Sequence, residues 1–265
     1  MKEKKKETRR EFIKKSAGAA ALLSMPTIIP SSVFGANGKV SVAVIGVNGR
    51  GGSHIQGFMN LPNAEVTCLC DCDLNVLGPK AKEFETRYSK KVKQEQDLRN
   101  VFADKSIDAV SIATPNHWHA LATIWACQAG KDVYVEKPGA HNIYEGRKMV
   151  EAANKYDRIV QHGVQLRSSV AVQEAIKHLR DGLIGRVYMA RGLVFRWRGD
   201  VGKKGPGTIP QGLDYDLWTG PAEMKPFSED WVHYNWHWHW NWGNGDVGNQ
   251  GIHETDLCMW GLDVG

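Results

Sequence analysis

Three scarcities narrow what this chain can be. Cysteine is the first: there are five in 265 residues, an odd count, and Cys68, Cys70 and Cys72 alternate along "VTCLCDCD". Near neighbours on one face of a strand do not reach each other to bridge. The spacing therefore argues against a disulfide framework or a cysteine metal centre, and for small buried hydrophobes. Net charge is the second. Residues 1–36 hold eight Lys/Arg and three Glu, which accounts for the whole formal charge of +5, and the rest of the chain carries 26 basic and 26 acidic residues. A neutral body offers no electrostatic footprint for nucleic acid. The third is long hydrophobic runs, since the apolar stretch near the N-terminus is too short and too rich in Ala, Gly and Pro to span a bilayer comfortably. No internal repeat is visible.

What is present is ordinary globular composition, 42% hydrophobic and 24% charged, with room for one large or two small cores. The opening "KKKETRREFIKKSAGAAALLSMPTIIP" puts a basic stretch before an apolar one, the pattern of a secretory leader. Arg9 and Arg10, preceded by Thr8 and followed by Phe12, Ile13 and Lys14, resemble the twin-arginine signal that carries folded proteins across a bacterial membrane. Residues 1–36 are thus expected to be an export leader cleaved near Ala36, with a periplasmic destination and membrane contact only through the leader and its export machinery. A disordered basic tail on a cytoplasmic protein, or an uncleaved leader acting as anchor, is the alternative.

Beyond the leader, strands and helices alternate. "KVSVAVIGVNGRGGSHIQGFM" runs from an apolar strand through a Gly-rich turn into a helix. "AEVTCLCD", "IDAVSIATP" and "DVYVEKP" read as further strands, and "VLGPKAKEFETRYS" and "HALATIWACQAG" as helices. This alternation predicts a doubly wound parallel sheet over residues 39–163. The pattern then changes. A helix over "SVAVQEAIKHLRDG" is followed by the strand-like "RVYMARGLVFRWR", a Gly/Lys/Pro-rich loop and a Trp-rich segment, so residues 164–265 form a second domain. Its C-terminal part is expected to lie beyond "MWGLDVG".

The turn "GVNGRG" follows a strand and opens a helix, the context that gives a dinucleotide fingerprint its meaning. Gly46 makes the tight turn, Gly51 lets helix and strand approach, and the helix N-terminus offers N–H groups to a pyrophosphate. Asn48 stands where the fingerprint has its middle glycine, with Gly49 and Arg50 after it. Asp71 ends the second strand twenty residues beyond Gly51, where a carboxylate accepts from both ribose hydroxyls. No Arg or Lys immediately follows to receive a 2′-phosphate, which favours NAD over NADP. The competing reading is a glycine turn beside a solvated Asp.

"SIATPNHWHALATIWACQAGKDVYVEKP" then places Thr114, Pro115 and Asn116, with His119, at one strand end, and Glu136, Lys137 and Pro138 at the next. These paired motifs resemble the glucose-fructose oxidoreductase, inositol dehydrogenase and MocA-like family, from about residue 39 onward. The resemblance implies an α/β fold: a Rossmann domain binding a nicotinamide nucleotide, then an α+β domain with a large open, mainly antiparallel sheet, often the seat of a homo-oligomer. Strand ends are where such sheets hold ligands, so Lys137 is expected beside the reacting carbon, its ammonium stabilising alkoxide charge. Glu136 would orient Lys137 or hold the nicotinamide amide or ribose. Pro115 and Asn116 would line the cofactor with Thr114 and His119, although His117, Trp118 and His119 equally fit helix capping and packing.

In this family the second domain supplies Asp-x-Gly-x-His, whose His is the acid/base and whose Asp supports it; the matching residues are Asn249, Gly251 and His253. An imidazole suits proton removal from an alcohol near neutral pH. An amide at Asn249 orients it without stabilising its charge, so Asp256, three residues on, or Asp246 is expected to supply that charge. The alternation over 236–242 places Trp236, Trp238, Trp240 and Trp242 on one strand face and His237, His239 and Asn241 on the other. That pattern fits sugar stacking, plain core packing, or a His-x-His metal pair. No third ligand is marked, and no metal is expected. Arg167, Trp236, His237, Trp238, His239 and His253 are the expected substrate contacts.

The function that follows is NAD-dependent hydride transfer from a hydroxyl of a sugar, glycoside or cyclitol, with His253 as acid/base and Lys137 stabilising the oxygen. One alternative keeps the cofactor but uses transient oxidation to permit elimination, as a glycosidase or lyase. Another is a non-catalytic sugar or nucleotide sensor.

Overall fold

"VSVAVI" is apolar on both faces, and a strand of that kind needs cover on both. In the computed structural model, which describes residues 38–202 and 204–264, it forms β1 (Val40–Ile45), whose last four residues are fully buried. The expected leader with Arg9 and Arg10 lies outside the described residues. The other strands are β2 (Ala64–Cys70), β3 (Lys93–Glu95), β4 (Ala109–Ile112), β5 (Asp132–Glu136) and β6 (Val160–Gly163), ordered β3-β2-β1-β4-β5-β6 with every pairing parallel. Helices α1 (Arg50–Met59), α2 (Leu74–Tyr88), α3 (Leu98–Ala103), α4 (Asn116–Gln128) and α5 (Ile143–Tyr156) cover both faces. Side-chain caps start three of them: Asp73, Asp97 and Asn142 accept from the backbone N–H groups of Asn75, Arg99 and Glu145.

A register shift between Val66 and Cys68 resets the alternation along β2 and divides its side chains between the two cores. Cys68 and Cys70 enter the core with α4, while Val66 and Leu69 enter the core with α2. All five thiols are free in this structure. Burial pushes the Cys68 thiol up to about 12 and holds those of Cys70 and Cys72 well above their usual value. Strand order reverses between β1 and β4, and that switch point opens a crevice at the strands' carboxyl ends.

From residue 164 onward the expected antiparallel sheet does not appear among the described residues. Helices α6 (Val170–Arg180), α7 (Tyr215–Thr219) and α8 (Ile252–Leu262) are joined by turns and irregular chain, with one isolated antiparallel bridge between Asp73 and Leu213. Residues 186–198, read as a strand, meet no ladder partner there, and Phe195 and Trp197 remain 100% and 96% exposed. The Trp-rich run is not a strand either. Its backbone bonds locally, through a 3₁₀ turn at Asn235–Trp238 and N–H donation from Trp242 and Gly243 to the His239 carbonyl, so its rings scatter. Trp236 and Trp242 are buried, Trp238 lies under the Arg198 guanidinium, and Trp240 is 84% exposed. No described helix is long and apolar enough to cross a membrane.

A small aromatic core of Leu213, Tyr215, Trp218, Phe227, Trp236 and Trp242 seats this region on the amino end of α4. The Trp118 indole N–H donates to the Leu217 carbonyl at 2.9 Å, and His117 Nε2 to the Trp218 carbonyl at 3.0 Å. Close approach explains Gly220, where a Cβ would stand 2.2 Å from the Trp118 ring. Burial lowers the His117 pKa from 6.5 to about 4. The unfolded chain thus takes up this proton first as pH falls, so stability drops between about pH 6.5 and about pH 4. Urea-unfolding midpoints across that window are expected to fall with pH, and His117→Asn to flatten the fall.

Candidate active site

A cavity of about 550 Å³ occupies the crevice, running from Asp71, Cys72, Gln96 and Leu98 past the glycine turn to Lys137, Asn249 and His253. Its size suits a ligand of cofactor scale. The glycine turn is held by close approaches that only a missing Cβ permits. At Gly51 a Cβ would come within 1.9 Å of the Gly46 carbonyl oxygen, and at Gly46, with φ +81°, within 2.7 Å of the Ala113 carbonyl oxygen. Gly49, with φ +54°, has nothing within 4 Å of its Cβ position, which leaves room on the turn where a nucleotide pyrophosphate would lie. Asp71 lies at the end of β2 under this turn, accepting from the N–H of Val47 at 3.0 Å and of Asp73 at 3.1 Å, and burial raises its pKa. Thr114 Oγ1 and His253 Nδ1, from residues lining the cavity, are buried without a hydrogen-bond partner. A dinucleotide fits this set: small residues at the turn, a carboxylate at the ribose position, and unsatisfied polar atoms farther along.

Glu136 is the most connected of the predicted residues. Its Oε1 accepts from Arg50 Nε at 2.7 Å and from His54 Nε2 at 3.0 Å, and its Oε2 from the Lys137 N–H at 3.1 Å. Burial alone would raise this carboxyl, but the bonds from His54 and Arg50 outweigh it and hold the pKa at about 2. Since Nε2 donates, the Nδ1 of a neutral His54 ring accepts from Ser111 Oγ at 2.8 Å. His54 and Ser111 were missed in the sequence. The available signal was spacing: Arg50 and His54 are one helical turn apart on α1 and face the same carboxylate.

Lys137 extends from the end of β5, and its Nζ donates to the Asn249 carbonyl at 2.7 Å and to Asn249 Oδ1 at 3.0 Å. Burial lowers its pKa. Asn249, expected to support His253, thus holds Lys137 instead. It belongs to a π-helical turn, Val247–Gly251, and lines the same cavity as His253. Neither expected acid reaches His253. Asp256 is gripped through both oxygens by Arg167, which also stacks on Trp260, and Asp246 is gripped in the same way by Arg198. Arg167 and Asp256 therefore pair with each other and do not line the cavity. His253 lines it, with its pKa lowered first by burial and then by Lys137.

Other predicted residues divide between the wall and the supports. Pro115, Asn116 and His119 line the cavity, but the Asn116 amide donates to Asn244 Oδ1 at 2.9 Å, and His119 is wedged between the carbonyls of Thr114 and Pro138. Trp236 and His237 face the cavity, whereas Trp238 and His239 do not. Gln165, His233, Tyr234 and Gln250 also line it, unforeseen from the sequence. No metal-binding cluster of His, Cys, Asp or Glu is present among the described residues.

With this geometry in view, residues 40–164 match the oxidoreductase family described as Gfo/Idh/MocA, NAD-binding Rossmann fold, and residues 169–263 match the same family's C-terminal alpha/beta domain. The chain belongs to this family. Among its curated relatives is a glycosyl hydrolase family 109 protein of Saccharopolyspora erythraea, 30% identical over 60% of this chain and 36% of that protein. Another is the levoglucosan dehydrogenase of Pseudarthrobacter phenanthrenivorans, 36% identical over 39% of this chain and 27% of the enzyme. The chain thus spans about a third of the length of the relatives it matches. Its fold is shared with an oxidoreductase domain protein from Kribbella flavida (TM-score 0.63, 23% identity, 85% of this chain and 54% of that one). It is shared as well with the WlbA dehydrogenase of Bordetella pertussis, solved with NADH and UDP-GlcNAcA (TM-score 0.61, 24% identity, 84% and 55%).

The Rossmann domain of this family is an NAD-binding one. Asp71→Ala is expected to weaken NAD binding about tenfold to a hundredfold, the worth of a charge-assisted hydrogen bond. Isothermal titration with NAD checks this, and an unchanged affinity would remove Asp71 from the ribose.

Proposed function

We propose that this protein oxidises a hydroxyl of a sugar, glycoside or cyclitol. The observation that carries the reading is that Lys137 and His253, near enough for the ammonium to lower the imidazole pKa, line the same cavity as the nucleotide turn and Asp71. NAD, when bound, supplies the hydride acceptor. His253 takes the hydroxyl proton as the hydride leaves the same carbon, and its lowered pKa keeps the ring neutral and receptive at neutral pH. The Lys137 ammonium, aimed by the two Asn249 oxygens, stabilises charge developing on the substrate oxygen. Trp236 and His237, stacked on one another, form part of the cavity wall against which a sugar would lie. The name of the levoglucosan dehydrogenase relative agrees with a sugar substrate.

A second reading is favoured by the family 109 relative: oxidation that acidifies a neighbouring C–H and expels a glycosidic substituent. A panel of free sugars, methyl and p-nitrophenyl glycosides and inositols, assayed for NADH and for released aglycone, separates the two. Net NADH supports oxidation, aglycone without net NADH supports elimination, and neither product from any member removes the oxidoreductase reading. In that assay Lys137→Ala and His253→Ala are each expected to lower turnover by about a hundredfold or more while retaining NAD, as for loss of a positioned charge or base.

We also propose export by the twin-arginine route with the nucleotide already bound, because little free NAD is available outside the cytoplasm. Replacing Arg9 and Arg10 by Lys is expected to retain the protein in the cytoplasmic fraction of a bacterial host. Unchanged export would exclude that route.

A further inference from the structure

Of the histidines that line the cavity, His253 and His237 both sense the Lys137 charge, and their surroundings differ in a way that matters for proton transfer. His253 Nδ1 is buried with no partner, so nothing fixes which nitrogen carries the hydrogen. His237 Nδ1 lies against the Tyr234 carbonyl. A carbonyl only accepts, so Nδ1 carries the hydrogen and Nε2 of the neutral ring keeps its lone pair. The ring is also fixed in direction. It stacks on Trp236 with 3.6 Å between centroids and 19° between planes. Gly243 packs against its backbone so closely that a Cβ there would stand 2.4 Å from the His237 carbonyl oxygen. Among the described residues Nε2 has no protein partner, and it is not one of the sealed, unpartnered atoms. A ring held in one tautomer and one orientation, with an unpartnered Nε2, on a residue that lines the cavity, has what a general base needs.

We propose that His237 is a second proton-transfer residue of this site, acting through Nε2 on the carbon next to the one oxidised. The inference rests on the reading that a sugar hydroxyl is oxidised between Lys137 and His253. Once the ketone exists, its neighbouring C–H is acidic. Nε2 takes that proton, the C–H electron pair becomes the C=C bond of an enolate, and the carbonyl π pair moves to oxygen, facing the Lys137 ammonium. Return of a solvent-derived proton from Nε2 restores the ketone with no net redox change. Burial first, and then Lys137 and Arg198, lower the pKa of His237, which leaves its lone pair available at neutral pH. The site would thus move two protons per sugar, one at oxygen through His253 and one at carbon through His237.

The test uses the full chain with NADH in D₂O and, as probes, the 3-ketone of methyl glucoside and the ketone of myo-inositol. Mass spectrometry follows deuterium entering next to the carbonyl while absorbance follows reduction. The wild-type protein is expected to do both. In His237→Gln the ratio of exchange to reduction is expected to fall about a hundredfold, and in His253→Gln to rise, with NAD binding by titration showing that each variant is folded. An unchanged ratio in His237→Gln, or reduction by the wild-type protein with no exchange above the buffer rate, would overturn the proposal. Failure to reduce either ketone, together with failure of every substrate in the oxidation panel, would remove the oxidoreductase reading and this inference with it.

Discussion

Glu136 ends β5 with its carboxylate almost wholly shielded from water, where an uncompensated charge would cost several kcal/mol. Three donors from two parts of the chain prevent that: Arg50 and His54 from α1, and the backbone N–H of Lys137. The compensation fixes geometry as well as charge. It ties the helix that opens the nucleotide turn to the strand end that carries Lys137, and through His54 it reaches Ser111 on the intervening strand β4. The two chemical ends of the cavity are therefore held at a set separation by one ion-pair network.

The chain after residue 164 depends on this scaffold for its order. It has no sheet of its own among the described residues, and it takes its position from the amino end of α4. His117 and Trp118 hold α7, Asn116 holds Asn244, and His141 bonds the Gly243 carbonyl. A motif first met as a cofactor-edge signature thus does two jobs: one face meets the cavity and the other carries the aromatic core that forms the opposite wall.

The Rossmann half was legible because its signals are local. Apolar strands, cap residues and a glycine turn each act within a few residues, and the turn's demand for a missing Cβ at Gly46 and Gly51 is visible without knowing the partner. The site was legible only in part. Lys137, His253 and Asp71 could be placed from motif and strand position, but the partners of Asp256 and Asp246 could not, because Arg167 and Arg198 approach from 89 and 48 residues away. Asn249 was set against the wrong neighbour because Lys137, which takes both its oxygens, lies 112 residues away in the chain. The Trp-rich run misled for a different reason. Its period of two is a strand signal only where a second strand is available to pair with it, and here helical turns satisfied its backbone instead.

The buried thiols of Cys68 and Cys70, and the half-buried one of Cys72, have a consequence for their reactivity. Disulfide exchange and oxidation both proceed through the thiolate, and thiols held well above their ordinary range supply almost none at neutral pH. Cys72 lies on the cavity wall beside Asp71, yet its sulfur stays protonated and poorly nucleophilic toward whatever binds there. Once folded, this part of the chain reacts slowly through these thiols toward mixed disulfides or sulfenic acids.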